Sequence, residues 1–216
     1  MIEHACLLFS FSNHFGHWLP EHSLKLRKLN DYRKQTNLPI KLIIENKPPK
    51  WKLYVLNKLG WNMEDLIFWQ ADQMKVKHLI VPSYPEPNFD DFIWLKEKLI
   101  GMNDNVSSKH RIYISREKIG NRKVQNEDDL INFLKKYNFI IIYPELIPFD
   151  EQIKIFSNAE IIVGPHGSAF TNIIFSEDAT VVELFGQNKP TGFLVLSKVM
   201  GHNYYPLFCS GGEIHH

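Results

Sequence analysis

The stretch EIIVGPHGSAFTNIIFSEDATVVELF, residues 160–185, decides the fold. Its apolar run Ile161–Val163 fits a buried strand, which Pro165, His166 and Gly167 break. A short helix follows, and the Ser168 hydroxyl can cap it by accepting from a free backbone N–H. Thr180–Leu184 is a second β-rich run that carries one acid, Glu183. A glycine loop at a helix N-terminus suits an anion, because first-turn N–H groups are unpaired and the helix dipole adds positive potential. An acid at the end of the next strand can accept hydrogen bonds from a ribose. The segment therefore reads as strand, loop, helix and strand around a nucleotide-diphosphate pocket.

Outward from this segment the same rhythm continues. The second half gives strands at 111–115, 139–143 and 204–209, with helices at 127–137, 151–159 and 192–200. Asn126 is the expected cap of the first of these helices, with Asp129 three residues on. The first half gives strands at 6–11, 39–44, 65–69 and 74–81. A helix from Pro20 to about Lys34 carries Leu19, Leu26 and Leu29 on one face, with Pro20 suited to the first helical position. Another helix, 51–59, ends at Gly60. Alternating strands and helices predict parallel sheets covered on both faces. The run Pro82-Ser-Tyr-Pro-Glu-Pro-Asn88 holds three prolines and reads as a stiff linker, followed by a helix at 89–100. The boundary is set there, dividing the chain into one domain over 1–84 and another over 85–216.

With 216 residues the chain allows one large domain or two small ones. Its net charge of +1 excludes a bulk electrostatic pull toward nucleic acid or an anionic membrane. Two cysteines, Cys6 and Cys209, make no disulfide framework, so a reducing compartment is expected. The N-terminus lacks a basic n-region, and no stretch approaches the roughly 20 apolar residues of a membrane span. The expectation is a soluble cytoplasmic protein with no transmembrane segment. Residues 211–216 read as disordered, and the final His pair as a tag remnant.

Ligands of parallel sheets bind at the C-terminal ends of the strands. His17 and Glu21 follow the first strand, Arg116 and Arg122 follow 111–115, and His166, Gly167 and Ser168 follow 160–164, while Glu183 closes 180–184. Two arginines on one loop can neutralise a diphosphate, or simply solvate the loop. His166 reads equally as a phosphate neighbour or as a turn histidine bonded to backbone. Glu183 is costly among β-branched neighbours unless paired or facing water at the strand end. His17 or Glu21 can act as a general base, yet acids favour first turns and His17 can pack beside Trp18. Glu127, Asp128 and Asp129 read mainly as charges complementing a helix dipole. His14, His17 and Glu21 lack the spacing of a zinc site, and no Walker, dinucleotide or nucleophile-elbow motif is present.

Several of these residues fall in one ordered pattern. Ile112-Tyr-Ile-Ser-Arg116, then Arg122, Asn126-Glu127, Gln152, Gly164-Pro-His-Gly-Ser-Ala-Phe-Thr-Asn172 with Phe175, and Val182-Glu183-Leu184 together resemble glycosyltransferase family 61. The upstream Gly16-His17-Trp18-Leu19-x-Glu21 resembles the family's N-terminal signature. Ser168 stands where alanine is usual. The resemblance covers residues 11–208. It implies an α/β protein of GT-B architecture, with two Rossmann-like domains facing a cleft, the N-terminal one small. It further implies inverting transfer of a sugar from a nucleotide-diphosphate donor, a UDP-sugar in this reading, with no metal or other cofactor. The acceptor is a glycan or lipid-linked hydroxyl in capsular or other surface polysaccharide synthesis, with peripheral membrane contact and no nucleic-acid partner. Arg116, Arg122, His166, Gly167, Ser168, Asn172 and Glu183 would line the donor site, and His17 and Glu21 would act catalytically from the other domain. The second expectation, from another class, is a non-catalytic nucleotide- or glycan-binding homologue.

Overall fold

A computed structural model describes residues 1–8, 14–70, 73–84, 86, 88–101, 109–186 and 191–209. The expected disorder of 211–216 therefore lies outside the described residues. The chain divides into two compact units, Met1–Leu99 and Ile100–His216. Each is a parallel α/β sheet, as the alternating pattern predicts. Among the described residues, no helix is long and apolar enough to cross a membrane.

The first unit holds four strands, β1 (Ile2–Leu7), β2 (Lys41–Ile44), β3 (Leu66–Phe68) and β4 (Val76–Ile80), in the order β3-β2-β1-β4. Its helices are α1 (Phe15–His17), α2 (Ser23–Thr36), α3 (Lys50–Lys58) and α4 (Phe89–Ile100). The first strand starts earlier than the expected 6–11, because Ile2, His4, Ala5 and Cys6 find register partners on β4. The remainder of that expected strand, 9–11, lies outside the described residues. Pro20 is not the first helical residue either. Helix begins at Phe15, and Trp18–His22 form a π-helical turn before α2. A proline has no N–H to donate inside a helix, and a wider turn is one way to carry it without breaking the rod. The predicted apolar face holds: Leu19, Leu26 and Leu29 are buried. Asn37 then closes α2 in the left-handed conformation, and Gly60 does so just beyond α3, with φ 55° and 83°. Asp91 of α4 accepts from Arg27 at 2.5 Å, joining that helix to α2.

The second unit holds β5 (His110–Ile114), β6 (Phe139–Ile142), β7 (Ala159–Pro165), β8 (Thr180–Phe185) and β9 (Asn203–Phe208), in the order β6-β5-β7-β8-β9. Helices α5 (Glu127–Lys135), α6 (Phe149–Ser157) and α7 (Gly192–Val199) connect them. Tyr113, Leu134, Val163 and Leu184 form one of its core clusters. The expected Asn126 cap does not form, since no side-chain hydrogen bond closes that end of α5. Glu127 instead is buried and accepts from the Tyr113 hydroxyl at 2.8 Å. The helix after β7 is a 3-10 helix, Ser168–Phe175, with Gly167 at its cap position and no side-chain cap bond, so Ser168 is its first residue rather than its cap.

Both strand orders reverse direction once. Chain connections depart to opposite sides at β1/β4 and at β5/β7, the places where a parallel sheet opens a crevice at its C-terminal edge. Gly164 lets β7 approach β5 there: a Cβ on it would lie 2.9 Å from both the Cβ and the carbonyl oxygen of Ile114. Gly164→Ala therefore forces two paired strands apart, and should cost about 1–3 kcal/mol of stability. Urea unfolding of the variant checks this; an unchanged midpoint would show that the strands yield freely.

Candidate functional site

In the second unit the site grows from the ends of β5, β7 and β8. Ser115, directly after β5, is fully buried, and its hydroxyl accepts from the Glu117 N–H at 3.1 Å. That turn sends the Arg116 side chain inward, where it is buried. Asn121 holds the guanidinium: its carbonyl accepts from Nε at 3.2 Å and its Oδ1 from Nη2 at 2.5 Å. The remaining terminal nitrogen, Nη1, lies against Gly167, where an added Cβ would come within 2.2 Å of it. Glycine is needed here for space and not for backbone strain, since its φ is 177°. Burial first, and the charge of Arg122 second, lower the Arg116 pKa, with Glu145 opposing. Two crowded cations, one of them desolvated, are relieved by a bound anion. Arg122 itself is exposed and adopts φ 55°.

His166 lies at the end of β7. Its Nδ1 pairs with Glu183 Oε1, and Tyr204 of β9 donates to Glu183 Oε2 at 2.5 Å. Glu183 is fully buried, and both its oxygens are taken by protein groups. This geometry gives Glu183 a positioning role toward His166. Burial and the Glu183 contact push the Tyr204 phenol up. The imidazole also stacks on Phe185 and meets Phe193 at a tilt, with ring centroids 5.7 and 5.5 Å away. A ring held by a carboxylate and two aromatic neighbours has little freedom left, and Nε2 is the nitrogen remaining for a ligand. Ser168 is exposed beside it.

Asn172 is enclosed rather than presented. Its Nδ2 donates to Gln152 Oε1 at 3.0 Å, and Gln152 Nε2 donates to the carbonyls of Pro144 and Ile147. It thereby ties the 3-10 helix to α6 and to the turn after β6. Asn172 Oδ1 and Thr171 Oγ1 are buried with no protein partner.

In the first unit a second carboxylate has the same two kinds of partner. His17 Nδ1 and Glu21 Oε1 are 2.9 Å apart, and the Tyr84 hydroxyl donates to Glu21 Oε2. His17 and Glu21 follow β1 and Tyr84 follows β4, so this triad sits at the reversal of its own sheet. Burial, then the Glu21 contact, raises the Tyr84 phenol to about 12. Beneath it, His22 is buried with neither ring nitrogen hydrogen-bonded, and the buried Trp18 Nε1 also has no partner. Lys52 and Glu45 form a buried ion pair nearby, the ammonium over the Trp18 ring at 5.1 Å.

The structure thus brings Arg116, Arg122, His166, Gly167, Ser168 and Glu183 into one neighbourhood, joins His17 to Glu21, and sets Asn172 behind the 3-10 helix. Sequence reasoning missed Tyr204, Tyr84, Asn121 and His22. Tyr84 lay hidden in a proline-rich run read as a spacer, and Tyr204 in a strand whose neighbour was unknown. Among the described residues, His14, His17 and Glu21 form no metal-holding group; one such group, Glu3, His4 and His78, lies elsewhere in the first unit.

A family model described as Glycosyltransferase 61 matches residues 15–182. Among curated proteins, the chain is 32% identical over 103 residues to an EGF domain-specific O-linked N-acetylglucosamine transferase of Gallus gallus, covering 44% of this chain and 19% of that protein. The protein of the same name from Drosophila melanogaster is 32% identical over 87 residues, covering 38% of this chain and 17% of its own length. The Mus musculus protein is 32% identical over 103 residues. The matches thus span about a fifth of the length of these relatives.

His22 gives a pH-dependent stability. Burial, then the charge of Lys25, lowers its pKa to about 4. In the unfolded chain it titrates at the ordinary histidine value of about 6.5. As pH falls the unfolded state takes up the proton first, so this contribution is intact above about pH 6.5 and is lost down to about pH 4, by up to about 3 kcal/mol. Urea midpoints measured across that range should fall steeply for the wild type and less for His22→Asn. Coincident profiles would remove His22 as the source.

Proposed function

The chain belongs to glycosyltransferase family 61, and from that membership we propose that it transfers a sugar from a nucleotide-diphosphate donor to a hydroxyl acceptor. The observation that carries this reading is the buried Arg116 guanidinium lying across Gly167 beside the Glu183-held His166, at the reversal point of the second sheet. Departure of a nucleoside diphosphate places negative charge where it leaves, and fixed cations and N–H groups stabilise it without reorganising. Arg116, with Nη1 left over, and Arg122 supply the charge. The reading therefore needs no divalent ion at the diphosphate.

In the first unit His17 is the base and Glu21 fixes its ring through Nδ1, with Tyr84 holding the second Glu21 oxygen. The acceptor oxygen attacks the anomeric carbon opposite the leaving group. Its proton passes to His17, the bond from the anomeric carbon to the phosphate oxygen breaks, and the configuration inverts. A GT-B arrangement of the two units belongs to the same proposal. The names of the relatives favour N-acetylglucosamine as the sugar, and UDP is the nucleotide in this reading. A glycan or lipid-linked acceptor of surface polysaccharide or glycoconjugate synthesis, met in the cytoplasm at a membrane surface, completes it.

Calorimetry against UDP, GDP, CDP and CMP, with Mg²⁺ or with EDTA, tests the donor side. One nucleoside diphosphate should bind equally in both conditions. Arg116→Ala should weaken it by about 1.5–3 kcal/mol, the worth of charge-assisted hydrogen bonds, while the melting curve stays cooperative. Unchanged affinity would remove Arg116 from the phosphate site. For the chemistry, His17→Ala should lower transfer about 10²–10⁴-fold with nucleotide binding retained. Turnover at the wild-type rate would take the base role from His17, and nucleotide binding by a wild type that transfers to no acceptor would favour a binding module.

A further inference from the structure

A second site lies in the first unit, at the start of β1 and β4 and away from the strand ends that carry His17, Glu21 and Tyr84. His4 and His78 are direct register partners on these parallel strands. Their rings are stacked, with centroids 5.1 Å apart and planes 17° from parallel. Glu3 precedes His4, and one donor atom from each of Glu3, His4 and His78 lies within 4.8 Å of the other two. His4 Nδ1 is buried with no hydrogen-bond partner. Glu3 pairs with Lys77 at 2.8 Å, which keeps the carboxylate at this end of the sheet.

From this juxtaposition we infer that Glu3, His4 and His78 bind a divalent transition ion of the zinc class, as a site separate from sugar transfer. The donor set is specific in kind. Imidazole suits zinc, copper and nickel, whereas magnesium and calcium take oxygen ligands. Two histidines and one carboxylate are a three-ligand zinc set that leaves a fourth position for water. Ligand atoms around a tetrahedral zinc, each about 2.0–2.2 Å from the ion, lie some ~3.4 Å from one another. The three donor atoms, each within 4.8 Å of the others, stand within about 1.4 Å of that spacing.

The consequence falls on β4. It is an edge strand, among the described residues it pairs only with β1, and most of its residues are exposed, Leu79 among them, as is Val81 just beyond it. Little apolar burial holds it, so a metal clasped between His4 and His78 adds a tie across the one ladder it has. Ion and fold are then linked, since an ion that binds only the folded chain stabilises it.

The test is zinc titrated by calorimetry into the chelator-stripped full chain, with magnesium as the comparison ion and melting temperature as a second readout. One zinc per chain should bind and raise the melting temperature, and magnesium should do neither. His78→Asn, a change at an exposed side chain, should weaken zinc at least about tenfold and abolish the thermal shift while circular dichroism stays unchanged. His4→Asn should do the same, and Glu3→Gln should weaken zinc less. Zinc binding of equal affinity in His78→Asn and Glu3→Gln would assign the ion to other histidines and overturn the proposal. So would no zinc binding by the wild type, or equal binding of magnesium. Nucleotide affinity is not involved, so failure here is distinct from failure of the donor-site reading.

Discussion

The second unit is organised around a carboxylate that has no contact with water. Glu183 is fully buried on β8, flanked by β7 and β9, a position whose desolvation cost has to be met by hydrogen bonds from within. His166 meets one oxygen from the end of β7, and Tyr204 the other from β9. Three adjacent strands are thus fastened through one side chain, and the fastening fixes the register Gly164↔Glu183↔Pro206. Once His166 is fixed, Gly167 follows at a set position, and Arg116 can lie across it only because no Cβ is there. The chain of necessity runs from a buried charge to the placement of a cation.

The first unit repeats the device with different burial. Glu21 also joins a histidine through Nδ1 and a tyrosine through its hydroxyl, at the reversal between β1 and β4. No sequence match relates the two triads. Tyr84 follows its strand and Tyr204 lies within one, and the histidine precedes the acid by four residues in one case and by seventeen in the other. What they share is the location: strand-order reversal opens space at the C-terminal edge, and a carboxylate there can align an imidazole toward that space.

Much of this was legible in the sequence, and the illegible part has a common cause. Strand and helix rhythm is local, so apolar runs such as 161–163 and 180–184 located β7 and β8 within a residue or two. The strand-end rule then selected His166, Gly167, Glu183, Arg116, His17 and Glu21 without any knowledge of strand order. Strand order itself is non-local, and both missed tyrosines depend on it: Tyr204 reaches Glu183 because β9 pairs with β8, and Tyr84 reaches Glu21 because β4 pairs with β1. Ser168 shows the opposite failure. Its residue type favours a cap, but Gly167 already occupies that position, because the chain must turn where Arg116 requires a residue without a side chain.

The difference in exposure between the triads bears on how each histidine is used. Glu183 has 0% of its side-chain surface exposed and His166 22%, whereas Glu21 has 25% and His17 57%. A buried carboxylate that is fully satisfied, with Phe185 and Phe193 against the ring, makes His166 rigid, suited in the proposed transfer to a fixed place beside the leaving group. A base has a different requirement. It must accept a proton from an incoming hydroxyl and later release it to water, so its ring has to be reachable while its tautomer stays fixed. His17 meets both conditions, with Nδ1 committed to Glu21 and the ring largely open. In the proposed transfer the same pair of residue types would hold a fixed place beside the leaving group where it is enclosed and take a proton where it is exposed, and the difference in burial is what distinguishes the two arrangements.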